Sequence, residues 1–366
     1  MFARFKLFCL SSVAAVLILS GCGGGSRTTT ATHASDNTQT PVSTDANNTN
    51  IPVSTETTHA SDNTQTPVST DVNNTNIPVS TDSQTLRIYV AGESIEEYNH
   101  MNTLPFNADG TLSSTLNTTE EFGWMVPFAQ RLQIRNPALS IEWVGSGCWT
   151  NADTYSCSTG TYTHQTIGHT SAVAGSSVED WFNLHGSELT NKSYCYDIAF
   201  ASRGGNDLNG DIDKNAYEAK LKELVIALDQ GSNCRNHPIV YVTAHMLDAV
   251  GMVSIPSTQN DVDNWLERQK AYYVDIAQKV VNDLNTNGRK VRFIDMWTPI
   301  YDNRATDAFP SEDWWTTANG VHRPNIAKIH REDDELYGYH PRRLASIFVG
   351  ECAANQVDLT QLQGIE

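Results

Sequence analysis

The chain has 366 residues, with 42 acidic against 24 basic side chains and a formal charge of −18. Negative charge on that scale excludes a nucleic-acid partner held through its phosphates, and is compatible with a neutral or esterified ligand. Apolar residues make up 39% of the chain but are unevenly spread, so only part of it is able to bury a core.

In chain order, the first element is an export signal. Arg4 and Lys6 form its positive end, and Val13 to Leu19 form an apolar run too short to span a bilayer unaided. It closes on Leu19-Ser20-Gly21-Cys22, which resembles a bacterial lipobox. That likeness implies that residues 1–21 are removed and that Cys22 becomes a lipidated N-terminus held at a membrane. Gly23 stands where an Asp usually retains such lipoproteins at the inner membrane, so the outer membrane or cell surface is the expected location.

Residues 22–85 are Thr, Ser, Asn, Asp and Pro with almost no large apolar side chain, which predicts a disordered linker. One unit occurs twice at a spacing of 26, from His33 and again from His59, and the copies differ only at Ala46 and Val72. Without an apolar stripe to stack, the repeat reads as a solvated stalk rather than a solenoid.

Residues 86–366 carry the folded domain. Five short apolar runs have strand character: 86–91, 140–144, 196–201, 238–244 and 291–296. Helical periodicity fills the gaps at 122–134, 215–228, 262–284 and 341–354. Strands alternating with helices predict an α/β three-layer sandwich around a central five-stranded parallel sheet. Ligands of such sheets bind beyond the carboxyl ends of the strands, so the residues that follow each strand carry the functional information.

The chain has seven Cys. Cys9 leaves with the signal and Cys22 takes the lipid. In an oxidising compartment Cys148 with Cys157 would close a short loop, and Cys195 with Cys234 would join two neighbouring strand starts. Cys352 falls on a helix and is expected to be a buried thiol. No pair has zinc-finger spacing, so neither a metal nor any other cofactor is expected, and a monomer is the expected state.

Gly92-Glu93-Ser94 follows the first strand, where a small residue before a Ser at a strand-to-helix turn exposes a hydroxyl. By itself that pattern describes an ordinary N-cap equally well. Ala172-Val173-Ala174-Gly175 follows the second strand after a long loop, and its Gly offers an unobstructed N–H near a helix start. Arg203-Gly204-Gly205-Asn206-Asp207 follows the third strand, and an Asn amide there donates to a developing oxyanion. Two late histidines are candidate bases, His322 before Arg323-Pro324 and His340 before Pro341.

In this order the blocks resemble those of the SGNH/GDSL hydrolases, and Ala172–Gly175 is similar to the corresponding block of rhamnogalacturonan acetylesterases. The resemblance covers residues 86 to about 355. It implies a flavodoxin-like sheet and a serine esterase in which Ser94 is the nucleophile. The oxyanion would lie among the Ser94 N–H, the Gly175 N–H and the Asn206 amide. Short acyl esters on carbohydrate are the implied substrates. Related domains transfer acetyl groups to polysaccharide, and a binding protein without catalysis is a further alternative.

Two departures stand out. Glu93 replaces the Asp that the family carries before its Ser. The expected acid three residues before the base is Tyr337 for His340 and Asn319 for His322. His340 is preferred because Pro341 and an apolar-periodic helix follow it. The group that orients its ring is open among Asp333, Asp334 or Glu335, a main-chain carbonyl, or none. The point matters, because exchanging that Asp for Asn costs roughly 10⁴ in turnover in a serine protease.

Overall fold

The computed structural model describes residues 84–97, 104–114, 123–149, 168–248, 258–310, 313–329 and 342–362. The signal, the linker up to residue 83 and the Cys148–Cys157 pairing lie outside the described residues; Gln84 and Thr85, expected in the linker, pair with Leu139 and Ser140 and belong to the first strand of the domain. Strands are β1 (Gln84–Ala91), β2 (Leu139–Val144), β3 (Gly147–Trp149), β4 (Gly168–Thr170), β5 (Ile198–Ala201), β6 (Ile239–Ala244), β7 (Val291–Asp295), β8 (Trp315–Ala318) and β9 (Val321–Pro324). Helices are α1 (Ser94–Glu97), α2 (Met125–Arg135), α3 (Val178–Thr190), α4 (Gly205–Asn209), α5 (Lys214–Gln230), α6 (Gln259–Gln269), α7 (Ile276–Asn285), α8 (Thr298–Tyr301), α9 (Ile326–Ile329) and α10 (Arg343–Asn355).

Five strands form one sheet in the order β2-β1-β5-β6-β7, and every neighbouring pair is parallel. This is the three-layer, flavodoxin-like arrangement expected from the sequence. Every residue of β5 and β6 is buried, as a sheet covered on both faces requires. The chain first steps from β1 to β2 and then returns past β1 to β5. Right-handed crossovers in opposite directions put their helices on opposite faces. Accordingly α2 packs with α10, whereas α3 packs with α5 and α5 with α7. The strand order reverses at β1 and β5, and the crevice beyond their carboxyl ends is the usual ligand position.

Caps fix where the helices around that crevice begin. The Ser177 hydroxyl accepts from the Asp180 N–H while the Asp180 carboxylate takes the Ser177 N–H, a capping box that starts α3 just after Gly175. Asp213 caps α5 by accepting from the Asn215 and Ala216 N–H groups.

The long helix expected over 262–284 is interrupted. Lys270–Asp275 is a π-helical turn between α6 and α7, and it pushes the Tyr272 and Tyr273 side chains into the core. Two small antiparallel hairpins, β3–β4 and β8–β9, were not legible because strands of three or four residues carry no periodicity. The Cys195–Cys234 disulfide is present, with Cα atoms 5.0 Å apart, and Cys352 is a buried free thiol. No helix of the described residues is long and apolar enough to cross a membrane.

Candidate active site

Ser94 is the first residue of α1, directly beyond the carboxyl end of β1. Its side chain is partly exposed. Asn206, also partly exposed, lies on the short helix α4 beyond β5. Gly175, exposed and with φ +69°, lies between β4 and α3. Ser94 and Asn206 therefore stand on short helices beyond β1 and β5, where the strand order reverses, and the loop of Gly175 is bonded alongside.

These loops are bonded to one another. The Val173 N–H donates to the Gly92 carbonyl at 3.1 Å, and the Ala174 N–H donates to the Glu97 carboxylate. Arg203, 1% exposed, donates from Nη1 to the Gly92 carbonyl and from Nη2 to the carbonyl and hydroxyl of Ser176. One buried guanidinium thus clasps the loops of Ser94 and Gly175 from the loop of Asn206. The Tyr217 hydroxyl holds the Arg203 carbonyl at 3.1 Å. Gly204 has φ +128°, and a Cβ there would lie 2.8 Å from that hydroxyl, so only Gly allows this turn.

Glu93 is almost fully buried and points away from solvent into the third loop. Its Oε1 accepts the Gly205 N–H at 3.0 Å; its Oε2 accepts the Asn206 N–H at 3.1 Å and Asn206 Nδ2 at 2.6 Å. His245, beyond β6, places Nε2 3.1 Å from Glu93 Oε1. Burial pushes the Glu93 carboxyl up, but the hydrogen bond and charge of His245, the Arg203 charge and the Asn206 N–H outweigh it and bring it down to about 2. Glu96 goes the other way: burial and the neighbouring Glu93 charge raise it. Its carboxylate accepts from the Glu93 N–H, Trp124 Nε1 and the Ser202 hydroxyl. Burial also lifts Asp207 to about 6, although the Val178 N–H donates to it.

His340 and the acids Asp333, Asp334 and Glu335 lie outside the described residues. His322 is exposed on β9, stacked on Trp315 with ring centroids 5.0 Å apart, and its Nδ1 lies 3.2 Å from the Thr317 hydroxyl. It lines an open groove of about 450 Å³ with Tyr301, Trp315 and Asp263, and none of Ser94, Gly175 or Asn206 lines that groove. Of the tryptophans, Trp143, Trp181 and Trp314 are buried and offer no exposed face, whereas Trp315 is only partly buried. Among the described residues no group of three or more His, Cys, Asp or Glu side chains is placed to hold a metal ion.

Sequence reasoning did not reach Arg203, Glu96 or His245 as members of this site. His245 carried a usable signal, since Thr243-Ala244-His245 ends a strand just as the segments before Ser94 and Asn206 do.

No protein-family model matches the sequence, and no curated protein does. Among solved structures, the chain is similar to a family 3 carbohydrate esterase of Clostridium thermocellum, at 15% identity and TM-score 0.42, covering 76% of this chain and 97% of that one. It is also similar to a lipase/acylhydrolase from Enterococcus faecalis, at 13% identity and TM-score 0.36, covering 74% and 94%. An acetylxylan esterase variant from Geobacillus stearothermophilus gives 15% identity and TM-score 0.35, covering 74% and 96%.

Proposed function

We propose that this chain is a serine esterase that cleaves short acyl esters, acetyl groups on carbohydrate foremost, through an acyl-enzyme on Ser94. The observation that carries the reading is the convergence of Ser94, Gly175 and Asn206 on three mutually bonded loops where the sheet reverses its order.

The chemistry follows from those positions. Ser94 Oγ adds to the ester carbonyl as its proton passes to the imidazole of His340, the proposed base. The carbonyl oxygen takes negative charge and accepts hydrogen bonds from the N–H groups of Ser94 and Gly175 and from Asn206 Nδ2. One Nδ2 hydrogen is held by Glu93, which leaves the second for the oxyanion. Each donor contributes on the order of 3 kcal/mol of transition-state stabilisation. Collapse breaks the bond to the alcohol, which leaves with the proton from His340. Water then enters by the reverse sequence and releases the acid.

Lipid attachment at Cys22 and display at the outer membrane or cell surface are part of the same proposal, supported by the Arg4/Lys6 end, the short apolar run and the solvated stalk. The test of the activity is hydrolysis of p-nitrophenyl acetate and acetylated xylan. The parent is expected to turn over at least one of these, and Ser94→Ala is expected to lose at least about 10³-fold. Equal rates for the two proteins would refute the nucleophile.

A further inference from the structure

The ester-cleavage scheme gives no task to the buried His245. Its Nδ1 lies 2.9 Å from the Met246 carbonyl, and its Nε2 lies 3.1 Å from Glu93 Oε1. A carbonyl only accepts, so Nδ1 carries a hydrogen. Glu93 already accepts three N–H bonds from Gly205 and Asn206, an arrangement that suits the ionised carboxylate. Nε2 therefore carries a hydrogen as well, and the ring is a cation. The approach is close: a Cβ on Gly205 would lie 2.8 Å from Glu93 Oε1 and 2.9 Å from His245 Nε2. Carboxylate, imidazolium and the Gly205-Asn206 backbone form one tightly packed unit.

We infer that His245 is a positioning residue for ester cleavage: its cationic ring fixes the Glu93 carboxylate, which in turn holds the Asn206 amide with one hydrogen free for the oxyanion. This rests on the reading that Asn206 serves the oxyanion. It also accounts for the Glu that replaces the family's Asp. With one more methylene than Asp, Glu93 reaches Gly205 and Asn206 on one side and the end of β6 on the other.

Charged and titratable groups from several elements surround the His245–Glu93 pair. Glu93 and Glu96 come from the β1–α1 turn, Arg203 and Asp207 from the β5–α4 segment, Asp248 from beyond β6, Tyr217 from α5 and Tyr273 from the π turn. The Tyr273 ring lies 4.9 Å from the imidazole. Burial opposes the charge on His245, but the Glu93 hydrogen bond and charge, with Asp248 adding, raise its pKa to about 9. Above that, the ring must either break its Met246 bond or turn a bare Nε2 lone pair on the carboxylate. Either event unseats Glu93 and releases the Asn206 amide.

The experiment measures kcat and KM for p-nitrophenyl acetate from pH 6 to 10 with the full chain, taking Ser94→Ala as the blank. The parent kcat is expected to fall roughly 100-fold or more on the alkaline side at nearly constant KM, the loss of one oxyanion donor. The midpoint is expected near pH 9. In His245→Gln, whose side-chain amide donates at every pH, this alkaline limb is expected to vanish. His245→Ala is expected to be low in kcat throughout. An identical limb in His245→Gln, or a parent kcat that is flat from pH 8 to 10, overturns the inference. The second result needs no variant to fold. Activity that survives Ser94→Ala instead overturns the esterase reading itself, so the two failures are distinguishable.

Discussion

Replacing Arg203 by Met tests whether the three loops are one mechanical unit. Met has a similar reach but no donors, so the change removes the bonds to the Gly92 carbonyl and to the Ser176 carbonyl and hydroxyl. Two carbonyls lose a buried donor, and Glu93 loses one of its two cationic neighbours. Hydrogen bonds from a charged donor contribute about 1.5–3 kcal/mol each, and removing one partner of a buried ionic cluster costs roughly 3–5 kcal/mol. The compensating gain from burying an apolar side chain is about 1–2 kcal/mol. The net expectation is a loss of about 1–4 kcal/mol, out of the 5–15 typical of a domain. Urea unfolding followed by tryptophan fluorescence reads this directly, as a lower midpoint with an unchanged slope. Because Gly175 directly precedes Ser176, kcat is expected to fall at least about tenfold under conditions where the variant is still folded. Stability within about 0.5 kcal/mol of the parent, with unaltered kcat, would show that the clasp holds nothing together.

Three further outcomes follow from the same structure. The His245–Glu93 pair makes stability depend on pH in both directions. The raised His245 pKa gives stability that is complete below its unfolded value and is lost as pH rises through about 9; the lowered Glu93 pKa gives stability present above its unfolded value and lost as pH falls toward about 2. The interaction is on the order of 3 kcal/mol, counted once for the two partners. Melting temperature is expected to decline from pH 7 to 10, and His245→Gln is expected to flatten that decline; parallel curves would contradict it. Asp207, raised to about 6, works in the opposite sense below pH 6, since its ionisation costs stability as pH rises. The Cys195–Cys234 bridge spans a separation of 39 residues, for which loop-closure entropy gives about 4 kcal/mol. A Cys195→Ser/Cys234→Ser double variant is expected to unfold at a clearly lower urea midpoint, and an unchanged midpoint would mean that the bridge does not form in the protein.

The sheet was legible because its inner strands, β5 and β6 above all, are buried on both faces and the outer ones keep an apolar pattern. Runs such as Pro238–Ala244 and Val291–Met296 are short, apolar and separated by helical periodicity, and physics leaves few other arrangements for such a pattern. The positions of Ser94 and Asn206 beyond strands of the parallel sheet were legible, because strand ends are where such a sheet presents groups to a ligand, whereas Gly175 follows β4, a hairpin strand too short to carry a pattern. The interruption of the long helix was not, since a π turn adds one residue without breaking the apolar pattern around Tyr272 and Tyr273. Nor were the roles of Arg203, Glu96 and His245. Buried charges are chosen by partners that are remote in sequence, with His245 and Glu93 more than a hundred residues apart, and no local signal records that pairing. The Gly-Glu-Ser departure at Glu93 was visible, but its consequence required the geometry that brings Gly205, Asn206 and His245 to one carboxylate.

The measurement closest to the centre of the account is covalent labelling of the native chain. A fluorophosphonate is expected to form a single adduct, and mass spectrometry of the digested protein is expected to place it on Ser94. The adduct is expected to disappear in Ser94→Ala and to form more slowly in Asn206→Ala. Labelling that persists in Ser94→Ala, or an adduct on any other residue, would contradict a nucleophile placed where the sheet reverses.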